Sequence, residues 1–600
     1  MQSDGVASSV GHGVVEFKHH LISELKRRRV FRALVGYGIV AFAVLQIIEP
    51  VMHGLHWSDD VLTYVVVALA AGFSAVAGLA WIYDIKAGRL ERTAPAVPGT
   101  PLRKRIVVPV LIAIGLVAAA PGLLVYFLLL GGARGKPVGR RADEPSIAVL
   151  PLVNMRDEKG NEYFSDGITE EVIDALANVD GLHVASRSSS FAFKGKKVGT
   201  RQVAEELHVA TVLEGTVQRS GQELRIVVQL IDAASGYHLW SKTYDRELKN
   251  VFQLEDELAR SIVQALRPKL MPSASTSLVH VHTPDIDAHD LYLQARFLWN
   301  KRSPVGLQKA AQLFEKAISL DPEFALAHVG LCESLIVLPA YGWISVPEVV
   351  PRSSAAAMKA LELDPTLAEA HSCLCLVRAR TFEWSGAERE CRRAIELRPT
   401  YATAHQWYAI ALHSMGRVPE ALVEARRAEL LDPLSAVITN FVAVELYLGR
   451  SYEAALAQAQ RTVRLDPSFS LGHSYLALIN LQLGRYREAL AELEPLAGQG
   501  NRYDGERGYT YAKMGRRADA LRLLADMEER SRKSYVAPST RALIYIGLGD
   551  KEQALRWLER AYAELDWRLL YLKSDPMFDE LRPEPRLAAI FERMHLPQTQ

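Results

Sequence analysis

The feature that most constrains this 600-residue chain is a 34-residue period in its second half. A Leu-Asp-Pro sequence or a close variant recurs there, and successive prolines are 43, 34, 34 and 34 residues apart. The prolines are Pro322, Pro365, Pro399, Pro433 and Pro467, the small residues in step with them are Ala310, Ala387, Ala421, Ala454, Ala489, Ala520 and Ala554, and the glycines are Gly416, Gly449, Gly484, Gly515 and Gly549. Three equal intervals are not expected by chance, so this half of the chain is a stack of repeated units.

A 34-residue unit with a turn glycine, a small residue and a terminal proline is the pattern of the tetratricopeptide repeat. Alanine lets the two helices of a unit approach closely, glycine permits the turn between them, and proline ends the second helix. Each helix pair leaves an apolar face that only the next pair covers. We therefore predict an all-α superhelical solenoid of about eight repeats over 287–565, with an insertion around 339–351 and a C-terminal cap over 566–600.

Polar residues on the first helix of each repeat define a candidate peptide-binding groove. By repeat register they lie on the concave side of the solenoid, where an extended or helical peptide of another protein can bind. They are Arg380, Gln406, His413, Asn440, Tyr447, Ser474 and Gln482.

Four cysteines in a chain of this length do not make a disulfide framework, and none belongs to a CxxC pair. Cys375 and Cys391 take facing positions on the two helices of one repeat, so an oxidising compartment can join them. Two buried free thiols are the favoured alternative. Spacing alone gives Cys332 and Cys373 no partner.

The first 141 residues differ from the rest in charge and hydropathy. They hold 16 Lys or Arg against 8 Asp or Glu, a net charge of +8, whereas the remaining residues hold 54 against 61, a net charge of −7. Three long apolar runs lie in this basic part, and roughly 20 apolar residues suffice for a helix to cross a bilayer. We predict three transmembrane helices at about 31–48, 61–83 and 106–130, although the shorter first run also fits a buried helix.

The distribution of Lys and Arg predicts the orientation of these helices. Cations are concentrated before the first run and in the 84–105 loop, and they are absent from the 49–60 loop. The positive-inside rule then makes 1–30 a cytoplasmic basic segment and puts everything after the third span on the outer side. For a bacterial chain this predicts an inner-membrane protein with periplasmic C-terminal domains and the lipid bilayer as a partner.

The residues between the apolar runs and the repeats have an α+β pattern. A short apolar run starts at Ile147, two alternating runs flank Arg219-Ser220-Gly221-Gln222 as in a hairpin, and 251–266 has helical periodicity. Ser165-Asp166 is a candidate helix N-cap. We predict one small α+β domain over 145–270.

Five ordered motifs give this domain a specific resemblance. They are Ser146–Pro151, Tyr163–Glu171, Ala185–Gly195, Val212–Thr216 and Ile231–Trp240. The region resembles the TolB amino-terminal/FlgO-like domain that precedes tetratricopeptide repeats in bacterial membrane proteins, some fused to a winged-helix or adenylate cyclase domain. The resemblance implies the α+β fold, a cell-envelope setting and no catalytic residue. Only about 30 residues precede the first apolar run, so we expect the output domain of those relatives to be missing here.

No catalytic or nucleotide-binding motif is present: GxSxG, HExxH, GxxxxGK[ST], GxGxxG and EF-hand loops are all missing. We therefore predict no enzyme activity and no cofactor. His280 and His282 with Asp285 could ligate a metal, but histidines in a polar linker are usually solvated, so no metal site is predicted. Ser186–Ser190 with three nearby lysines could hold phosphate, and a structural loop is the favoured alternative. The lysines are Lys194, Lys196 and Lys197.

Two kinds of function remain. The first is a membrane-anchored scaffold of the cell envelope that holds a protein or peptide in the groove. The alternative is a transmembrane signal sensor that acts on a separate cytoplasmic partner. The nearly balanced charge argues against nucleic acid as a partner. The sequence does not settle the oligomeric state.

Overall fold

The computed structural model describes 145–155, 162–179, 181–248, 251–266, 283–342, 344–499 and 501–597, together with Tyr37, Ala41, Leu69, Tyr83–Lys86 and Arg89–Arg92. The chain divides into two compact units, Met1–Arg140 and Arg141–Gln600. In the first unit, strands β1 (Tyr83–Lys86) and β2 (Arg89–Arg92) form an antiparallel hairpin.

The prediction of transmembrane helices is wrong for the residues that the structure describes. No helix among them is both long enough and apolar enough to cross a membrane. Tyr83, the last residue of the second predicted span, lies in β1, paired with Arg92, because the chain there turns back as a hairpin. Apart from Tyr83 and three single residues, the predicted spans 31–48, 61–83 and 106–130 lie outside the described residues, as does the basic segment 1–30.

The second unit begins with a mixed sheet and its covering helices. The strands are β3 (Ser146–Val149), β4 (Val153–Asn154), β5 (His183–Val184), β6 (Thr211–Ser220), β7 (Glu223–Asp232) and β8 (His238–Glu247), and the helices are α1 (Glu162–Ala177), α2 (Arg187–Phe191), α3 (Thr200–Leu207) and α4 (Val251–Leu266). The strand order is β5-β3-β6-β7-β8, and β4 pairs with β6. Strand β3 is parallel to both of its neighbours, whereas β6, β7 and β8 are antiparallel. The predicted α+β fold is therefore present.

The alternation of side chains along β3 explains how this sheet is covered. Ile147 and Val149 pack into a core with α1 and α4, while Ala148 packs on the other face with Val203 of α3. Both faces of β3 are buried because its parallel neighbours require helical crossovers that cover the sheet. Helix α1 starts at Glu162, about one turn before the predicted cap at Ser165.

The rest of the unit is a stack of helix pairs. Eight pairs lie within 283–597: α5 (Ile286–Asn300) with α6 (Pro304–Leu320), α7 (Ala325–Val337) with α8 (Val346–Leu363), α9 (Ala368–Arg380) with α10 (Trp384–Leu397), α11 (Ala402–Ser414) with α12 (Val418–Leu431), α13 (Ala436–Leu448) with α14 (Tyr452–Leu465), α15 (Ser470–Gln482) with α16 (Tyr486–Leu493), α17 (Asn501–Lys513) with α18 (Arg517–Ser531), and α19 (Pro538–Gly547) with α20 (Lys551–Ala563). After them come α21 (Leu569–Leu572) and α22 (Pro585–Arg593). The predicted repeat solenoid is confirmed.

Local conformation at the turns follows the repeat pattern, with two shifts of register. Gly416 and Gly484 have φ angles of 85° and 73°, a left-handed conformation that favours glycine. In the fifth pair this conformation falls on Arg450 rather than on Gly449. Likewise Ala454 is exposed and its neighbour Ala455 is the buried small residue, which restores a 34-residue spacing from Ala421.

The α+β domain packs directly on the first repeat. Its core is continuous with α5, where Leu293 fills the space that a side chain at Gly167 of α1 would need. Beside this contact, the Glu170 carboxylate accepts hydrogen bonds from Arg296 at 2.7 Å and from Arg187 at 2.6 Å. The attraction of these two guanidinium groups outweighs burial and lowers the pKa of Glu170. The domain therefore covers the open end of the repeat stack.

Gly330 of α7 tests the close packing of the first two repeats. A Cβ there would overlap the Phe314 ring of α6, which is fully buried and cannot move aside. We expect Gly330→Ala to lower the free energy of unfolding by about 1–3 kcal/mol, measured by urea denaturation. Gly199→Ser is the control, because its Cβ meets nothing within 4 Å, its φ of −74° suits an L-residue and serine is a favoured residue at this N-cap of α3. An equal effect of both substitutions would contradict this packing.

Candidate functional site

The seven predicted groove residues lie on the first helices of four consecutive repeats, α9, α11, α13 and α15, and we call the surface that they form the groove. All of them except the half-buried Gln482 are buried. Residues 566–581 of the same chain, which we call the C-terminal segment, contact His413, Tyr447 and Gln482 on this surface. The groove is thus occupied within the chain.

Hydrogen bonds fix the C-terminal segment across several repeats. The Tyr447 hydroxyl donates to Asp575 Oδ1 at 2.8 Å, and the Ser574 hydroxyl donates to the backbone oxygen of His413 at 3.1 Å. Gln482 Nε2 lies 3.4 Å from Met577 Sδ. Helix α21 places Tyr571 against the His413 ring, with the ring centroids 4.7 Å apart. The segment therefore contacts α11, α13 and α15 in turn.

A buried group of charges joins the segment to the later repeats. Arg568 donates to Glu506 Oε1 at 3.0 Å and lies 3.6 Å from Asp575 Oδ2. Ser474, a predicted groove residue, donates to the other oxygen of Glu506 at 2.7 Å. Burial raises the pKa of Asp575, and the charge of the nearby Arg568 opposes that shift. Removing one partner of such a group leaves an uncompensated buried charge.

Not every polar group in the groove has a partner. Arg380 is 6% exposed, and neither its Nε nor its Nη1 makes a hydrogen bond. Burial lowers the pKa of Arg380 to about 10 despite the nearby Tyr571 and Asp566. The side-chain oxygen of Asn440 on α13 also lacks a donor, and Gln406 on α11 is buried. The groove therefore keeps polar groups that its own segment does not satisfy.

The sequence did not indicate that the chain's own C-terminal segment contacts the predicted groove residues. Arg568, Tyr571 and Asp575 lie in a stretch that was predicted as an end cap. Only α22 has that role, since it packs on α20 with Leu587 and Ile590 buried. Charged and aromatic residues concentrated outside the repeat period were the available signal.

The serine-rich loop contacts the repeats instead of presenting free hydroxyls. Ser186, Ser188 and Ser189 all donate to the carboxylate of Asp432, at the C-terminal end of α12, at 2.5–2.8 Å. Lys194 donates to Asp166 at 2.7 Å, and it also pairs with an acidic residue at the start of α1. A carboxylate at the centre of the loop repels phosphate, which favours the structural-loop interpretation.

Of the three linker residues that could ligate a metal, the structure describes Asp285. His280 and His282 lie outside the described residues. Asp285 caps α5 by accepting a hydrogen bond from the backbone N–H of Ala288 at 2.9 Å. Its carboxylate thus has a structural partner.

All four cysteines are paired and buried. Cys375 on α9 bonds to Cys391 on α10, with a Cα–Cα distance of 5.2 Å. Cys332 on α7 bonds to Cys373 on α9, at 6.4 Å, a pair that spacing did not reveal. Together the two bonds link α7, α9 and α10.

Comparison with known families gives one match, to the α+β domain. Residues 142–265 match the HilA/YgeH-like transcriptional regulator family, second domain. The match spans the same region as the predicted TolB amino-terminal/FlgO-like domain, and that finer resemblance stays a prediction.

A curated relative shares part of the chain. A Rhizobium meliloti protein named "Putative adenylate cyclase 3" is 37% identical over 236 residues, which are 39% of this chain and 40% of that protein. The chain therefore spans less than half the length of this relative.

Solved structures similar to the repeats include tetratricopeptide proteins. A human IFIT1 dimer with m7Gppp-AAAA is 15% identical, covering 52% of this chain and 77% of that chain, with a TM-score of 0.36. The Thermus thermophilus TPR protein TTC0263 is 20% identical, covering 29% and 92%, with a TM-score of 0.25. YrrB, a TPR protein with an unusual peptide-binding site, is 21% identical, covering 31% and 90%, with a TM-score of 0.22.

Arg568 is the residue whose loss tests the fit of the C-terminal segment. Arg568→Met keeps the length of the side chain but leaves the carboxylates of Glu506 and Asp575 without their nearest guanidinium. We expect the free energy of unfolding to fall by roughly 3–5 kcal/mol in urea denaturation. Arg586→Met is the matched control, because Arg586 pairs with Glu559 on the surface and its loss costs about 1 kcal/mol or less. Equal losses would show that the buried charges do not hold the segment.

The two disulfides make a second prediction about this region. Their sequence separations are 41 and 16 residues, so loop-closure entropy gives stabilisations of about 4 kcal/mol for Cys332–Cys373 and about 3 kcal/mol for Cys375–Cys391. We expect Cys373→Ala and Cys391→Ala to lower the stability of the oxidised chain by up to these amounts. Thiol titration of the unreduced chain in denaturant should find no free thiol, and four titratable thiols would contradict the pairing.

Proposed function

We propose that the protein is an interaction scaffold whose groove recognises an extended segment of a protein partner. The observation that carries this proposal is the C-terminal segment itself, which lies in the groove and uses residues of three repeats. Its hydroxyl and aromatic groups contact His413 on α11, its Asp575 carboxylate accepts from Tyr447 on α13, and Met577 lies against Gln482 on α15. The groove therefore has the chemistry of a peptide-binding surface.

The partner and the C-terminal segment compete for the same surface in this proposal. A partner must supply an aromatic side chain for the place of Tyr571 and an acidic group near Tyr447. Arg380 favours a ligand with an additional carboxylate, because the resident segment leaves its Nε and Nη1 unpaired. The segment therefore acts as an intramolecular competitor that sets how tightly a partner must bind.

A second candidate is a regulatory role in signalling. It is supported by the 37% identity to a protein named as an adenylate cyclase, over less than half of that protein. Exchange of the C-terminal segment for a partner would then be the regulated step. We expect the chain itself to convert no ATP to cyclic AMP, and measurable cyclase activity of the purified protein would replace the scaffold proposal.

We also propose that the repeats work in an oxidising compartment such as the bacterial periplasm. The burial and pairing of all four cysteines support this location, since disulfides persist where thiols are not kept reduced. Alkylation of free thiols in intact cells before lysis would leave the protein unmodified there. Extensive modification of these cysteines would contradict the location.

Exchange of the C-terminal segment tests the scaffold proposal directly. A protease site inserted after Glu564 allows the folded chain to be cut while the segment stays in place. We expect a fluorescent peptide of residues 566–584 to bind the cut chain, and its anisotropy to rise as the resident segment dissociates. The peptide should bind the uncut chain at least about tenfold more weakly, because the tethered segment competes for the groove at a high effective concentration.

A matched pair of variants controls this experiment. Tyr447→Phe removes the hydroxyl that meets Asp575 and should weaken binding of the peptide to the cut chain. Tyr408→Phe removes a hydroxyl that donates to Glu388 Oε1 at 2.9 Å, outside the contacts of the segment described above, and should leave binding unchanged. If the cut chain stays folded but takes up no peptide, the groove is not a recognition surface.

A further inference from the structure

A second buried polar cluster lies at the junction of the α+β domain and the first repeat. Glu171 of α1, Glu255 of α4 and His289 of α5 each contribute one potential ligand atom, and these three atoms lie within 4.8 Å of one another. Glu255 is 2% exposed and His289 is 5% exposed. The His289 Nε2 atom is 3.9 Å from Glu171 Oε1. Three separate helices thus bring two carboxylates and an imidazole to one buried point.

One oxygen of the Glu255 carboxyl lacks a hydrogen-bond partner. Its Oε1 atom is buried and accepts no hydrogen bond. A buried oxygen without a donor is costly, and native interiors contain few of them. Glu255 therefore offers a free acceptor oxygen in a cluster with a second carboxylate and an imidazole, and a bound cation would stabilise all three groups.

We propose that Glu171, Glu255 and His289 bind one divalent transition-metal ion of the Zn²⁺ type. An imidazole nitrogen and two carboxylate oxygens are donors that Zn²⁺ accepts, and water can complete a tetrahedron. Mg²⁺ and Ca²⁺ fit less well, because they prefer oxygen ligands alone. With metal–ligand distances of about 2.0–2.2 Å, tetrahedral ligand atoms lie roughly 3.4 Å apart, so the three side chains need to approach by about 1 Å.

The position of this cluster gives the ion a structural role. Helices α1 and α4 belong to the α+β domain, whereas α5 is the first helix of the repeats. An ion bound by all three would join the two parts at the interface that already contains Glu170 and Arg296. It would stabilise the native chain because the unfolded chain does not bring these ligands together.

The full-length chain, stripped of metal with a chelator, is the material for the test. After incubation with ZnCl2 and gel filtration, we expect it to retain one Zn²⁺ per chain, measured by elemental mass spectrometry, and to melt at a higher temperature than the stripped chain. Co²⁺ should give the visible absorption bands of a tetrahedral site. Glu255→Gln should weaken Zn²⁺ binding by at least about tenfold, because replacing even a residue that only orients a metal ligand lowers the affinity by about that much.

Controls separate this site from adventitious binding. Glu257→Gln changes an acidic residue on the same helix that pairs with Lys242 and Arg246 at the surface, and it should bind Zn²⁺ as the unchanged chain does. Glu171→Gln serves if Glu255→Gln does not fold, as judged by circular dichroism. A stripped chain that retains no Zn²⁺ after incubation with ZnCl2 would overturn the proposal. So would equal retention by the unchanged chain and both glutamine variants, because the ion would then bind elsewhere.

Discussion

Each helix pair of this protein buries one face and exposes another, and the whole second unit is arranged around that constraint. A neighbouring pair covers the exposed face in the middle of the stack, but the first and last pairs have no such neighbour. The α+β domain covers the first pair through Gly167 and Leu293, and α22 packs on the last pair. The protein therefore closes its own solenoid with two unrelated pieces of chain.

The surfaces where the α+β domain and the C-terminal segment contact the repeats are polar as well as apolar. Glu170 with Arg296 lies at one end, and Glu506 with Arg568 lies where the C-terminal segment enters the groove. Apolar packing would stabilise either place without strict geometry, whereas a buried ion pair stabilises only one arrangement of its partners. These pairs thus select the positions of the α+β domain and of the C-terminal segment rather than adding much to the total stability.

How much could be predicted from the sequence depended on how local the determining contacts are. The helix pairs follow from a 34-residue pattern in which each unit repeats the same contacts, and the hairpin around Gly221 follows from its alternation. The Cys332–Cys373 bond was missed because the insertion after α7 shifts the register between these two repeats. The three apolar runs were interpreted from length and hydropathy alone, and neither property specifies the β-hairpin found at Tyr83.

The occupied groove was out of reach for a related reason. Register correctly puts Tyr447 and His413 on one side of the repeats, but no repeat pattern says that Asp575 and Tyr571 return to them across more than a hundred residues of chain. The pairing of buried polar groups specifies that long-range contact, and those pairs become known only from the three-dimensional structure.

Unpaired buried polar groups are then the part of the structure that packing does not explain. Most buried polar atoms in native proteins have partners, so each exception requires a cause. Arg380 in the groove and Glu255 at the domain junction are such exceptions, and both lie where two parts of the chain meet. One lacks an acceptor and the other lacks a donor, so they favour ligands of opposite charge. A carboxylate from a partner would satisfy the first and a metal cation the second, which makes the two sites chemically independent.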